Sequence, residues 1–85
     1  MLLGRVTGNI VSTRKCDKLT GYKLLLIEPY YGNEKEVFVA ADQIGAGIGE
    51  LVLITTDCAV RYALDKDAPI DALVVGIVDN DPGLK

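Results

Sequence analysis

The 85 residues contain no histidine and no tryptophan. Without histidine the chain lacks the side chain that titrates nearest neutral pH, the commonest acid–base group in catalysis. The two cysteines, Cys16 and Cys58, stand far apart in no paired motif, which excludes the closely spaced cysteine signatures of zinc and redox sites. They are expected to be reduced thiols of a cytosolic protein, and a Cys16–Cys58 disulfide is disfavoured. Basic residues are scarce, nine Lys and Arg against twelve Asp and Glu for a net charge of −3, so nothing draws the chain toward a polyanion. No apolar run reaches membrane-spanning length. The start, Met1-Leu2-Leu3-Gly4-Arg5, leads straight into a strand pattern without the basic start and cleavage site of a secretory signal. A cytosolic protein with no membrane partner is expected.

What is present is apolar surface. Hydrophobic residues make up 49% of the chain. A compact monomer of this size exposes roughly 4,900 Å² and buries only about 60–65% of the surface of its unfolded chain. So small a body needs many polar residues to cover itself. This chain has few, and part of its apolar surface is expected to be covered by other subunits. The length allows one domain, residues 1–85, with 79–85 an exposed C-terminal tail.

The pattern is that of strands. From Leu2 to Ser12 the chain alternates: Leu2, Val6 and Ile10 share a face with Gly4 and Gly8, and Arg5, Thr7 and Asn9 share the other. Two glycines on the inner face predict sharp bending or close backbone approach, as small barrels require. Polar residues 14–21 read as a loop, Tyr22–Glu28 as a second strand ended by Pro29, Tyr31–Glu34 as a turn and Glu36–Ala41 as a third strand. Asp42–Glu50 is a glycine-rich loop and Leu51–Thr55 a fourth strand. Asp57 reads as the N-cap of one or two helical turns over Cys58–Leu64. Asp65–Pro69 is a polar link and Ala72–Val78 a fifth strand. The predicted fold is mainly β, a small five-stranded barrel resembling an OB-fold, with one short helix before the last strand. Leu24–Ile27, Leu51–Ile54 and Leu73–Val78 do not alternate cleanly. Strands apolar on both faces are buried on both, and one short helix is too small to cover three strands, so neighbouring copies are the expected cover.

Candidate chemistry is thin. Gly45-Ala46-Gly47-Ile48-Gly49 leads into a strand, whereas a dinucleotide fingerprint opens a helix, and no Lys-Ser/Thr pair follows to make a phosphate loop. The glycines read instead as backbone needing positive φ or close approach, at an interface. Cys58 at a helix start has no histidine to activate it. Asp65, Asp67 and Asp71 lack the glycine and closing glutamate of a calcium loop. The rival reading is an OB-type module binding single-stranded nucleic acid, which needs a basic groove with stacking aromatics. Only Arg14, Lys15, Lys18 and Lys23 cluster, with Asp17 among them.

Four stretches resemble the EutN/CcmL family of bacterial microcompartment vertex proteins. They are Leu3-Gly4-Arg5-Val6-Thr7-Gly8 through Thr13-Arg14-Lys15, Leu19-Thr20-Gly21-Tyr22-Lys23-Leu24-Leu25-Leu26, the loop Asp42–Glu50, and Ala59-Val60-Arg61 with Pro69–Asp79. The loop is the most specific piece. Thr56-Asp57-Cys58 stand where the family often carries small hydroxyl residues. The resemblance implies an OB-like protomer, a homopentamer, and a place at the vertices of a polyhedral shell beside hexameric shell proteins. It implies no catalytic residue, cofactor or metal. Fivefold units supply the curvature that closes a sheet of hexagonal tiles, and a head-to-tail interface closing on itself makes such a unit. Gly45, Gly47, Gly49 and Glu50 are the expected assembly contacts. Asp57, Cys58 and Ala59, small residues suited to a crowded axis, are expected near the fivefold axis.

Overall fold

The computed structural model of the chain describes residues 1–11, 16–31, 36–56, 59–63 and 69–79. Strand β1 spans Leu2–Ile10, β2 Lys23–Pro29, β3 Phe38–Asp42, β4 Leu51–Thr56 and β5 Ala72–Val78. A single turn of helix, α1, spans Val60–Ala63. The stretch read as a plain loop before β2 holds one 3-10 turn, Asp17–Leu19. The strands close a barrel in the order β1-β2-β3-β5-β4. All pairings are antiparallel except β3 with β5. Closure removes the unpaired edges that would otherwise invite aggregation.

Alternation sets which side chains fill the barrel. Val6 of β1, Leu25 and Ile27 of β2, Ala40 of β3, Val52 and Ile54 of β4 and Val74 of β5 form one buried cluster. Gly4 is present for want of space: a Cβ there would collide with Ile27 Cγ2, with Glu28 O 3.1 Å and Ile54 Cδ1 3.3 Å away. Two bulges curve the wall. Between β1 and β2 the register steps from Val6↔Ile27 to Gly8↔Leu26, leaving Thr7 as the extra residue. Between β4 and β5 it steps from Leu53↔Gly76 to Ile54↔Val74, leaving Val75 extra. Each bulge bends its strand and raises local twist, which lets five short strands close.

A second cluster lies on the outer face. Tyr22, Ala41, Val60 and Leu73 are buried together, with Leu24, Ile70 and Val75 packed against them. The chain therefore covers part of its own doubly apolar wall, using α1 and the residue preceding β2. This narrows the expectation that neighbouring copies supply all the cover. Leu2, Val39 and Leu53 remain exposed on or beside the wall. The chain exposes 5650 Å², above the roughly 4,900 Å² of a compact monomer of this mass.

Candidate functional site

The glycine loop is built around one carboxylate. Asp42 ends β3 and is buried, and its two oxygens accept three backbone N–H groups. Oδ1 takes Ile44 N at 2.9 Å, and Oδ2 takes Gly45 N at 3.1 Å and Ala46 N at 2.8 Å. Asp at the head of a tight turn offers an acceptor to N–H groups two to four residues on, and here it winds the chain back so that Ala46 plugs the barrel interior. Lys23 Nζ, on the facing end of β2, donates to Ala46 O at 3.2 Å.

The second half of the loop is pinned as firmly. Gly47 N donates to Glu50 Oε1 at 2.6 Å, and Glu50 N returns a bond to Gly47 O at 3.1 Å. Gly49 N donates to Val6 O at 2.8 Å, Val6 N donates to Glu50 O at 3.0 Å, and an Arg5 guanidinium nitrogen donates to Gly49 O at 2.8 Å. The loop is thus an extension of β4 laid along β1. Its two isoleucines point outward, Ile44 51% and Ile48 64% exposed.

The three glycines separate by cause. Gly45 at φ 104° and Gly49 at φ 91° occupy the left-handed region, where a side chain strains the backbone. Gly47 is outside that region, and a Cβ on it would meet only Glu50 Oε1 at 3.4 Å. Glu50 turns its carboxylate back into the loop. In the sequence Asp42 stands out only as the first residue of the loop. The available signal was an Asp three residues before a glycine at the end of a strand, a pattern that marks a side-chain-capped turn.

Of the residues assigned to the fivefold axis, Ala59 is exposed just before α1. Asp57 and Cys58 lie outside the described residues, as do residues 32–34 of the expected turn, 65–68 of the expected link, basic Arg14 and Lys15, and residues 80–85 of the expected tail. Cys16 is exposed. An open cleft at the far end of β5 is lined by Arg5, Glu50, Leu51, Ile77 and Asp79. It sets one cation against two acids, with that cation already donating to Gly49 O. Among the described residues no group of three or more His, Cys, Asp or Glu is placed to hold a metal ion.

The family model described as ethanolamine utilisation protein EutN/carboxysome matches residues 1–79. The chain is 44% identical over 84 residues to the carboxysome shell vertex protein CcmL of Thermosynechococcus vestitus, covering 93% of this chain and 84% of that one. It is 43% identical over 91 residues to the microcompartment shell vertex protein PduN of Salmonella typhimurium, covering 93% and 96%. Among solved structures, the pentameric microcompartment shell protein GrpN of Rhodospirillum rubrum superposes with a TM-score of 0.82 at 38% identity, covering 94% of this chain and 95% of that one. Carboxysome and other microcompartment relatives match over the same share of the chain, so the match fixes the family without fixing the compartment. A closed barrel with a carboxylate-wound glycine loop, matched nearly end to end by such relatives, belongs to the EutN/CcmL family of microcompartment shell vertex proteins, a family of structural shell components and not of enzymes.

Proposed function

We propose that this chain forms a homopentamer that caps the vertices of a bacterial microcompartment shell, in the bacterial cytoplasm, beside hexameric shell proteins. The observation that carries this is the match over residues 1–79 and over 94% of the chain to a pentameric shell protein. Apolar side chains left exposed on a closed barrel, Val39 and Leu53 among them, support it. A soluble monomer gains nothing from them, and a ring buries them.

Within that reading, the loop 42–50 presents a fixed edge to neighbouring shell subunits. Gly47 has no conformational need to be glycine inside the protomer, which supports close approach by another chain there. Gly45 and Gly49 set the loop's path, and Glu50 holds it through Gly47 N. Asp57, Cys58 and Ala59 lie toward the fivefold axis, where small residues fit.

Native mass spectrometry of the purified protein at micromolar concentration tests the reading. A species of five chains is expected, and a clean monomer or dimer overturns it. The shell-edge role of the loop is tested by co-expressing Gly47→Leu with hexameric shell proteins and imaging the particles. A folded pentamer that leaves shells open or elongated supports that role, and closed regular polyhedra refute it.

A further inference from the structure

We propose that the ring interface is made by two different walls of the barrel, with Val39 of one copy seated over Gly76 and Leu53 of the next. This rests on the pentameric reading above. A cyclic five-membered ring is heterologous, so each protomer presents two separate, complementary patches. Strand order supplies them. Val39 lies between the core-facing Phe38 and Ala40, and is 43% exposed on the outer face of β3 beside half-buried Leu26 of β2. Leu53 lies between the fully buried Val52 and Ile54, and is 37% exposed on the outer face of β4 beside Leu3 of β1. In the closed order β1-β2-β3-β5-β4, β4 is separated from the β2–β3 pair by β1 on one side and β5 on the other. The two apolar patches therefore sit on well-separated walls, as a head-to-tail ring requires.

Gly76 is the independent observation. It stands opposite Leu53 in the middle of β5. A Cβ there would make only ordinary contacts, 3.7 Å and 3.9 Å from Leu53 atoms, and its φ is not in the left-handed region. The protomer thus has neither a steric nor a conformational reason for glycine at a strand position where glycine weakens the strand. The missing side chain keeps the outer wall low beside Leu53, and in the proposed ring a β-branched side chain from a neighbouring copy rests there. The occupant is a second copy because the only ring-forming partner this reading supplies is the chain itself, and because the complementary apolar patch is present on its other wall.

The test is native mass spectrometry of Gly76→Val, Val39→Asp and the double variant Val39→Asp/Leu53→Lys, with far-UV circular dichroism on each. The substituted positions face outward, so the barrel spectrum is retained. The pentamer is expected to be lost from Gly76→Val and from Val39→Asp, and regained in the double variant, where the new carboxylate of one copy meets the new ammonium of the next. Pentamers persisting in both single variants overturn the proposal, as does a double variant that fails to regain the ring. A hexamer-docking role for these walls would leave the pentamer intact in every variant, and that outcome also overturns it. A wild-type chain that forms no pentamer refutes the preceding functional reading itself, so the two failures are distinguishable.

Discussion

The carboxylate of Asp42 accepts the backbone N–H of Ala46 at 2.8 Å, four residues further along the chain. That bond turns the loop inward and places Ala46 in the barrel core. Asp42→Asn tests its weight. The amide keeps one acceptor oxygen but turns an NH₂ toward N–H donors, leaving at least one donor without an acceptor. A loss of about 1–3 kcal/mol is expected from one orphaned buried donor. Urea denaturation should read it, with faster hydrogen exchange at Gly45 and Ala46 than elsewhere in the barrel. Unchanged stability would mean that the turn is held by the chain on either side of it.

Gly4 faces the barrel interior, but the bulge at Thr7 breaks the alternation expected of β1 and pairs Gly8 with outward-facing Leu26, so the two glycines separate cleanly on substitution. A Cβ at Gly4 collides with Ile27 and approaches Glu28 O and Ile54, whereas at Gly8 the nearest atom is Leu26 Cδ1 at 3.4 Å. Gly4→Ala should destabilise by about 1–3 kcal/mol through overpacking, and Gly8→Ala by clearly less. Thermal unfolding of the two variants side by side checks the order.

The loop glycines make a second contrast. Gly45→Ala forces a side chain into the left-handed region and should cost about 1–2 kcal/mol. Gly47→Ala needs only a small adjustment of Glu50 Oε1, at 3.4 Å from the new Cβ, and should leave thermal stability within about 0.5 kcal/mol of the parent. Equal losses at the two positions would show that φ is not what distinguishes them.

Single-stranded nucleic acid should not bind. Tyr22 and Tyr30 are 4% and 3% exposed and serve the fold, and among the described aromatic side chains only Tyr31 exposes about half its surface. A stacking surface needs several exposed rings over a basic groove. Anisotropy of a labelled oligonucleotide at physiological salt is expected to stay flat. Submicromolar binding with a steep salt slope would restore the OB-module reading.

The barrel's interior is replaced least well at its widest side chains. Leu25 and Ile54 are fully buried, and Leu25→Ala should remove about 2–5 kcal/mol. For a domain of this size that is a large share of its stability. Chemical denaturation is expected to show a chain mostly unfolded at 37 °C unless ring formation, which stabilises by mass action, is retained.

Much of this protein was legible in its residues alone. The period-two pattern of β1, the run Ala72–Val78 and the glycine loop located the strands to within two residues, because alternation and turn residues are local signals. The absence of histidine removed the commonest acid–base side chain near neutral pH, and the short supply of basic residues left little to attract a polyanion. Three things were decided only by the tertiary structure. In the unbroken run Leu24-Leu25-Leu26-Ile27 no period marks the inner face; register with β1 and β3 sends Leu25 and Ile27 into the core and leaves Leu24 and Leu26 outside. The bulges at Thr7 and Val75 arise from pairing between strands distant in sequence. The part played by Asp42 depends on three N–H groups that converge on it only once the barrel end is formed. Propensity and spacing act along the chain, whereas facing, bulging and burial of a carboxylate are properties of what lies across from a residue, and that is fixed only when the strands close on one another.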